Sequence, residues 1–291
     1  MGVFYEGIPS HLQTWILEQK ILWVATAPLA ASHHINLSPK GGPYFGLLDA
    51  HTFWYMDLSG SGSETIAHLR ENGRITVLFH AFTGAPRIVR LWGYGEVLER
   101  GSVGFEKFVE ERKEGGQGGL EVIAATRSII VVSVHQVGSS CGYSVPFFEF
   151  REFRKTLNRV FEKKERDFEA GRNGGESKDR YWAYKNAWSI DGLPGMQRGL
   201  DCAMRELVQP IEKFVSIMLG LLLAERRGEQ SIGPFAPPAP YGPKSWNLRK
   251  QIRYQLAVLD TTRIQLKSVL IVVLLAFALG FLVATYMPRV S

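Results

Sequence analysis

Cysteine is scarce in this chain: two in 291 residues, Cys141 and Cys202. A disulfide-stapled scaffold is excluded, and so sparing a use of thiols points to a reducing compartment. Concentrated basic charge is missing as well. Lys plus Arg exceed Asp plus Glu by 34 to 28, a formal charge of +6, yet no run of five or six cations gathers the excess. Nucleic acid is therefore not the expected partner. A basic pocket for phosphate, or a basic flank beside a membrane, accounts for the surplus. The first ten residues lack the basic region, apolar stretch and small-residue cleavage site of a signal peptide, so the body of the chain is expected in the cytosol. No H-E-x-x-H or similar spacing joins His33, His34, His51, His68, His80 and His135, and no metal is expected. A Gly-Lys-Ser/Thr Walker loop, a G-x-S-x-G elbow and an internal repeat are absent too.

What is present is a turn-rich, β-containing pattern, with 30 glycines and 14 prolines. Ser10 and Gln13 form a capping-box pattern ahead of the apolar stripe Leu12, Trp15 and Ile16. Strands are predicted at 21–27, around 35–37, and at 52–57, 74–81, 87–98 and 128–134. Gly93 and Gly95 interrupt the fifth, as a bulge or a barrel corner does. Helices are predicted over 64–72, stopped by Gly73, and over 103–113. Six short strands with connections too short for crossover helices favour a small closed barrel over parallel α/β winding. The charge-rich stretch 151–167 alternates sign at helical spacing and reads as a solvated helix face.

The far end differs. From Val269 to Met287 runs VLIVVLLAFALGFLVATYM, nineteen residues without a charge, enough as a helix for roughly 28 Å of bilayer. Arg249, Lys250, Arg253, Arg263 and Lys267 precede it against one acid, Asp260, and only Arg289 follows. Positive-inside bias makes this a tail anchor with the large N-terminal part cytosolic. A single arginine after the span tilts the target toward the endoplasmic reticulum over the mitochondrial outer membrane. The Pro-rich run Gly233–Pro243 reads as an extended spacer. The apolar run Phe214–Ala224 is too short to span and reads as a packing helix, with interfacial burial or dimer packing as the alternatives.

Three segments carry the chemistry. Asp57–Arg74, DLSGSGSETIAHLRENGR, ends a strand, turns on small residues and opens a helix near Ser63. Free N–H groups and the hydroxyls of Ser59, Ser61, Ser63 and Thr65 there suit a phosphate, although a plain capped helix with Ser61 and Glu64 as capping box fits the same residues. His34–Gly42, HINLSPKGG, sets Lys40 in a Gly/Pro turn. Arg87–Glu96, RIVRLWGYGE, places Arg87 and Arg90 on opposite faces of a strand. Cys141 reads as a reactive thiol or, preferably, a small buried residue in a tight turn. Asp191 reads as a turn-forming Asx residue or a hydrogen-bond acceptor for a ligand.

Together these segments resemble the pyridoxamine 5′-phosphate oxidase-like flavin split-barrel family, in its branch with N-x-SPKG (Asn36–Gly41), GSG-x-ET-x-x-HL-x-x-NGR (within Asp57–Arg74) and R-x-x-RL-x-G-x-G (Arg87–Gly95). Ser139–Pro146 and Lys185–Gly195 look like the same branch. The resemblance spans residues 5–196. It implies a mainly β six-stranded split barrel with inserted and flanking helices, here followed by a helical extension (197–232), a Pro-rich and basic linker (233–267) and a single transmembrane helix (268–287). It also implies a homodimer with FMN near the subunit interface. By position Asn36, Ser38 and Lys40 line the flavin side, Ser61, Ser63 and Thr65 lie in the phosphate turn, and Arg87 and Arg90 stand on the neighbouring strand. Thr65 stands where many members carry a lysine, which leaves a deazaflavin or no cofactor as alternatives to FMN. The Arg-x-His segment that holds pyridoxamine phosphate has no counterpart. The expected function is an FMN oxidoreductase acting on a small molecule; the alternative is a non-catalytic flavin- or haem-binding sensor, carrier or membrane-tethered scaffold.

Overall fold

The computed structural model describes residues 2–113, 120–172 and 176–211, within the first of two units, Met1–Leu219 and Gly220–Ser291. The proposed anchor 269–287, the spacer 233–243 and the apolar run 214–224 lie outside the described residues. Among the described residues no helix is long and apolar enough to cross a membrane.

Strict alternation builds the sheet. Strand β2 (Ile21–Thr26) turns Leu22 and Val24 inward, β5 (Thr52–Leu58) turns in Phe53 and Tyr55, and β6 (Arg74–His80) turns in Ile75, Val77 and Phe79. With β7 (Ile88–Glu99) and β8 (Thr126–Ser140) they enclose one apolar core. Every pairing is antiparallel, in the order β3-β2-β6-β7-β8-β5-β4, where β3 is Asn36–Gly41 and β4 is Phe45–Asp49. A short β1 (Val3–Tyr5) adds to β8. The result is a mainly β sheet curled into a half-barrel.

Two features correct the expectation. The sheet has eight strands rather than six, because β1 is three residues long and β4 carries Gly46, against which the Trp54 indole packs. Nor, among the described residues, is the barrel closed by hydrogen bonds, since β3 and β4 end the strand order. Side chains bring the two ends together: Phe45 of β4 packs at 5.8 Å on Phe79 of β6, and Lys40 of β3 reaches Asp57 of β5. Pro39 costs β3 no ladder partner because an edge strand has an unpaired side. The predicted bulge is present, as a register shift between Trp92 and Gly93.

Helix α1 (Ser10–Glu18) buries Leu12 and Ile16. Its predicted capping box does not form: Pro9 is the N-cap, and Gln13 Nε2 instead donates to Ile8 O at 2.8 Å. Helix α2 (Glu64–Asn72) ends at Gly73, which adopts the left-handed conformation (φ 74°) that closes helices at low cost in glycine. Helix α3 (Val103–Lys113) covers the outer face of β5 and β8 through Phe105 and Phe108. Helices α4 (Thr156–Glu169), α5 (Lys178–Asn186) and α6 (Gln197–Arg205) follow, and α4 is solvated as expected apart from buried Phe161. The Glu99 carboxylate accepts from the N–H groups of Gln197 and Arg198, anchoring the positive end of α6 to the end of β7.

Candidate functional site

A cleft of about 1270 Å³ opens where the curled sheet fails to close. The β3 edge forms one wall, the turn from β5 into α2 another, and residues 148–157 the rim. At its base lies Asp57, fully buried at the end of β5. Its Oδ2 accepts from Arg127 Nε at 2.7 Å and its Oδ1 from Lys40 Nζ at 2.7 Å. Burial pushes the Asp57 pKa up, but the charges and hydrogen bonds of Arg127 and Lys40 outweigh it, leaving the pKa lowered to about 2 from 3.8. Two cations around one carboxylate leave a net positive charge facing the cleft. Tyr55, one inward position before Asp57, is held as a phenol, its pKa raised by burial and then by Asp57.

Above this cluster runs Ser59–Gly62. Its carbonyls are tied down from behind: Arg127 Nη1 donates to Gly62 O at 2.6 Å, and Asn186 Nδ2 donates to Gly60 O at 2.9 Å and Gly62 O at 3.1 Å. The buried Trp182 indole donates to Ser59 Oγ at 2.9 Å. With those carbonyls occupied, the first turn of α2 presents its unsatisfied N–H groups at the positive end of the helix dipole. The alternative capping box is not made. Ser63 Oγ donates to Trp188 O, and Glu64 accepts from Ile190 N.

Six of the eight predicted site residues line the cleft: Asn36, Ser38, Lys40, Ser61, Thr65 and Arg87. Arg87 stacks its guanidinium 5.4 Å over Trp15 at the rim. Ser63 is buried behind the turn. Arg90, on β7 opposite Leu78 and Gly138, is not brought to the cleft. Asp191 sits in a turn closed by Gly192 N–H donating to Ser189 O at 3.2 Å, but its side chain reaches outside that turn. Its carboxylate holds His34 through both the backbone N–H, at 2.8 Å, and Nδ1, at 2.7 Å. Cys141, expected buried, is exposed, because β8 ends at Ser140 and the chain leaves the sheet there. No group of His, Cys, Asp and Glu with metal-ligand geometry occurs among the described residues.

The comparisons with known proteins are decisive on family. The chain is 34% identical over 209 residues, 69% of its length and 80% of the other's, to a pyridoxamine 5′-phosphate oxidase family protein, ustO, of Aspergillus flavus. It belongs to that family. No protein-family model matches. Among solved structures, HupZ of Group A Streptococcus (TM-score 0.33, 20% identity) aligns with 46% of this chain and 99% of its own. A putative pyridoxamine 5′-phosphate oxidase of Lactobacillus delbrueckii (TM-score 0.32, 14% identity) aligns with 46% and 94%. Superpositions this weak bear on neither ligand nor activity.

Sequence reasoning missed the central cation of this family member. Arg127 lies one residue before the strand predicted at 128–134, although an arginine opening the run TRSIIVVSV has to be partnered or expelled. Trp182 and Asn186 were missed because nothing local links them to a turn more than 120 residues earlier.

Proposed function

We propose that the protein is an FMN-dependent oxidoreductase whose cleft holds the flavin phosphate at the Ser59–Thr65 turn. The observation that carries this reading is the buried Asp57–Arg127–Lys40 cluster, a fixed positive charge beneath a turn whose carbonyls are already occupied. A phosphate dianion suits it: cations, free helix N–H groups and the Ser61 and Thr65 hydroxyls supply complementary donors. Arg127 also answers the substitution at Thr65, since it provides from β8 the charge that a lysine on α2 would provide. The donor set therefore fits FMN. The cleft exceeds the roughly 300–1,000 Å³ of pockets that enclose a single drug-sized ligand, which leaves space for a second reactant beside a flavin.

In that reading Lys40 and Arg127 bind the anion, Asn36, Ser38 and Thr65 present polar groups along one wall, and Arg87 with Trp15 closes the rim against water. FMN, when bound, supplies two-electron (hydride) chemistry, so no protein general base is required. On the same reading the protein works as a homodimer, and apolar side chains left exposed beside the cleft, Ile35, Leu37 and Phe148 among them, support that reading. Residues 269–287 would moor the protein as a single-pass tail anchor with this domain in the cytosol.

The test is spectroscopic. Full-length protein purified in detergent is expected to show flavin absorption that bleaches on adding reduced nicotinamide nucleotide. Bleaching by dithionite alone, with none by any biological donor, would favour a flavin carrier. Colourless protein that fails to take up added FMN overturns the proposal.

A further inference from the structure

The cleft is charged at one end and aromatic at the other. Under the rim formed by residues 148–157, the cavity is lined by Trp15 of α1, Phe82 of the β6–β7 turn, and Phe150 and Phe153 of the rim itself. None of these belongs to β3, β8 or the Ser59–Thr65 turn, which supply the anion-binding groups. Strand β2 lies between the two ends, paired with β3 on one side and β6 on the other. The end of β6 therefore stands two strand spacings, about 10 Å, from the edge that carries Lys40.

The rings are held in place by their neighbours. His80 packs against Phe82 at a steep angle, centroids 4.3 Å apart, and the Trp23 indole donates to His80 Nε2 at 3.0 Å. Phe148 meets Phe82 at 5.1 Å, again nearly perpendicular, and its N–H donates to Phe82 O at 3.1 Å, tying the rim to the turn. Phe150, half exposed, leans on Phe153 at 4.7 Å. Among the described residues no ring stacks face to face on Phe82 or Phe150, an arrangement that a bound planar ring can complete.

Charge in this half cancels. Glu18, Glu149 and Glu152 line it against Lys20, Arg87 and Arg154. Two of those cations lie over rings, Lys20 at 6.0 Å from the Phe150 centroid and Arg87 at 5.4 Å from that of Trp15. The opposite end keeps its net positive charge from Lys40 and Arg127 around Asp57. An anion is thus drawn to the base of the cleft. A neutral aromatic ligand is drawn to the rim, where covering its faces with phenyl groups removes apolar area from water and strands no charge. The cavity, about 1270 Å³, has room for both.

We infer that the aromatic half is a separate subsite for a neutral, planar aromatic reactant, stacked against Phe82 and Phe150 beside the anion site. The inference rests on the cleft being the ligand site and deepens the flavin reading by naming the class of the second reactant. Flat molecules are selected over globular ones of similar apolar area, because only a flat one meets ring faces along its whole surface.

The test uses the full chain in detergent, labelled with fluorophenylalanine, with 2-naphthol as probe and 1-adamantanol as globular control. The fluorine-19 resonances of Phe82 and Phe150, assigned through Phe82→Leu and Phe150→Leu, are expected to shift with 2-naphthol and not with 1-adamantanol. The shifts should persist under saturating FMN. Phe150→Leu removes a half-exposed ring and leaves the core intact. It should weaken 2-naphthol binding roughly three- to tenfold, the worth of one aromatic contact, while Phe150→Tyr stays within about twofold of the parent. FMN affinity should be the same in both variants as in the parent. Unmoved resonances overturn the inference, and so do equal shifts with the two probes or a Phe150→Leu variant that binds 2-naphthol as the parent does. Displacement of 2-naphthol by FMN overturns it as well, because the rings then hold the flavin itself. If the parent takes up no FMN, the flavin reading fails, whereas the probe titrations still decide this one.

Discussion

Lys40 and Asp57 meet across the gap between the free edges of the sheet, Nζ to Oδ1 at 2.7 Å, although β3 ends the strand order on one side and β5 stands next to last on the other. One ion pair thus does what a ladder does in a closed barrel, and it does so at the base of the cleft. Closure and ligand charge are therefore set by the same atoms.

Removing the shared carboxylate is expected to be the costlier change. Asp57→Asn leaves the buried Arg127 and the half-buried Lys40 as neighbouring cations without their carboxylate and should lower unfolding free energy by about 3–5 kcal/mol in urea titrations. Lys40→Met retains the Arg127–Asp57 pair and should cost only about 1 kcal/mol, but should weaken FMN binding about tenfold.

Acid should unmake this cluster in a defined window. The folded-state pKa of Asp57 is depressed to about 2 from 3.8, so its stabilisation is complete above the unfolded value. It is lost as pH falls from about 4 through about 2. Thermal melts of the parent should drop steeply across that interval, and those of Asp57→Asn should be flatter. Parallel curves would contradict the assignment.

The two arginines of the R-x-x-R segment should separate cleanly. Arg87 lines the cleft and Arg90 does not, so Arg87→Ala should weaken FMN binding by about tenfold. Arg90→Ala should leave affinity unchanged in the same fluorescence titration. Equal losses would mean that both face the ligand.

Gly195 is a position where any side chain intrudes. A Cβ there would stand 2.4 Å from Asn186 O and 2.5 Å from Ser63 Oγ, and the first contact is backbone that cannot swing away. Gly195→Ala should cost about 1–3 kcal/mol by chemical denaturation, and it should also weaken FMN binding, because Asn186 and Ser63 flank the turn proposed to hold the phosphate.

Much of the sheet was legible because β2, β6 and most of β7 alternate cleanly, β5 and β8 are β-branched and aromatic runs, and α2 carries its own stop in Gly73. The short β1 and glycine-broken β4 gave no such rhythm. At the site, Lys40, Ser61, Thr65 and Arg87 could be picked out because small residues, a turn and misplaced cations are local signals. Arg127, Trp182 and Asn186 were not legible for the opposite reason: each acts on a turn at least 65 residues away, and no periodicity reports such a pairing. The capping boxes at Ser10 and Ser61 misled because the Ile8 carbonyl took the Gln13 side chain and the N–H of Ile190, brought in by the fold, took that of Glu64.

The holding of Gly60 and Gly62 by Asn186 has a bearing on how the protein is made. A nascent chain has all eight strands once Ser140 leaves the ribosome, yet the clamp on that turn awaits residues more than forty positions later. Translation thus separates the birth of the scaffold from the birth of the clamp on its turn. If the cleft holds flavin as proposed, a product that ends before Asn186 is expected to be colourless.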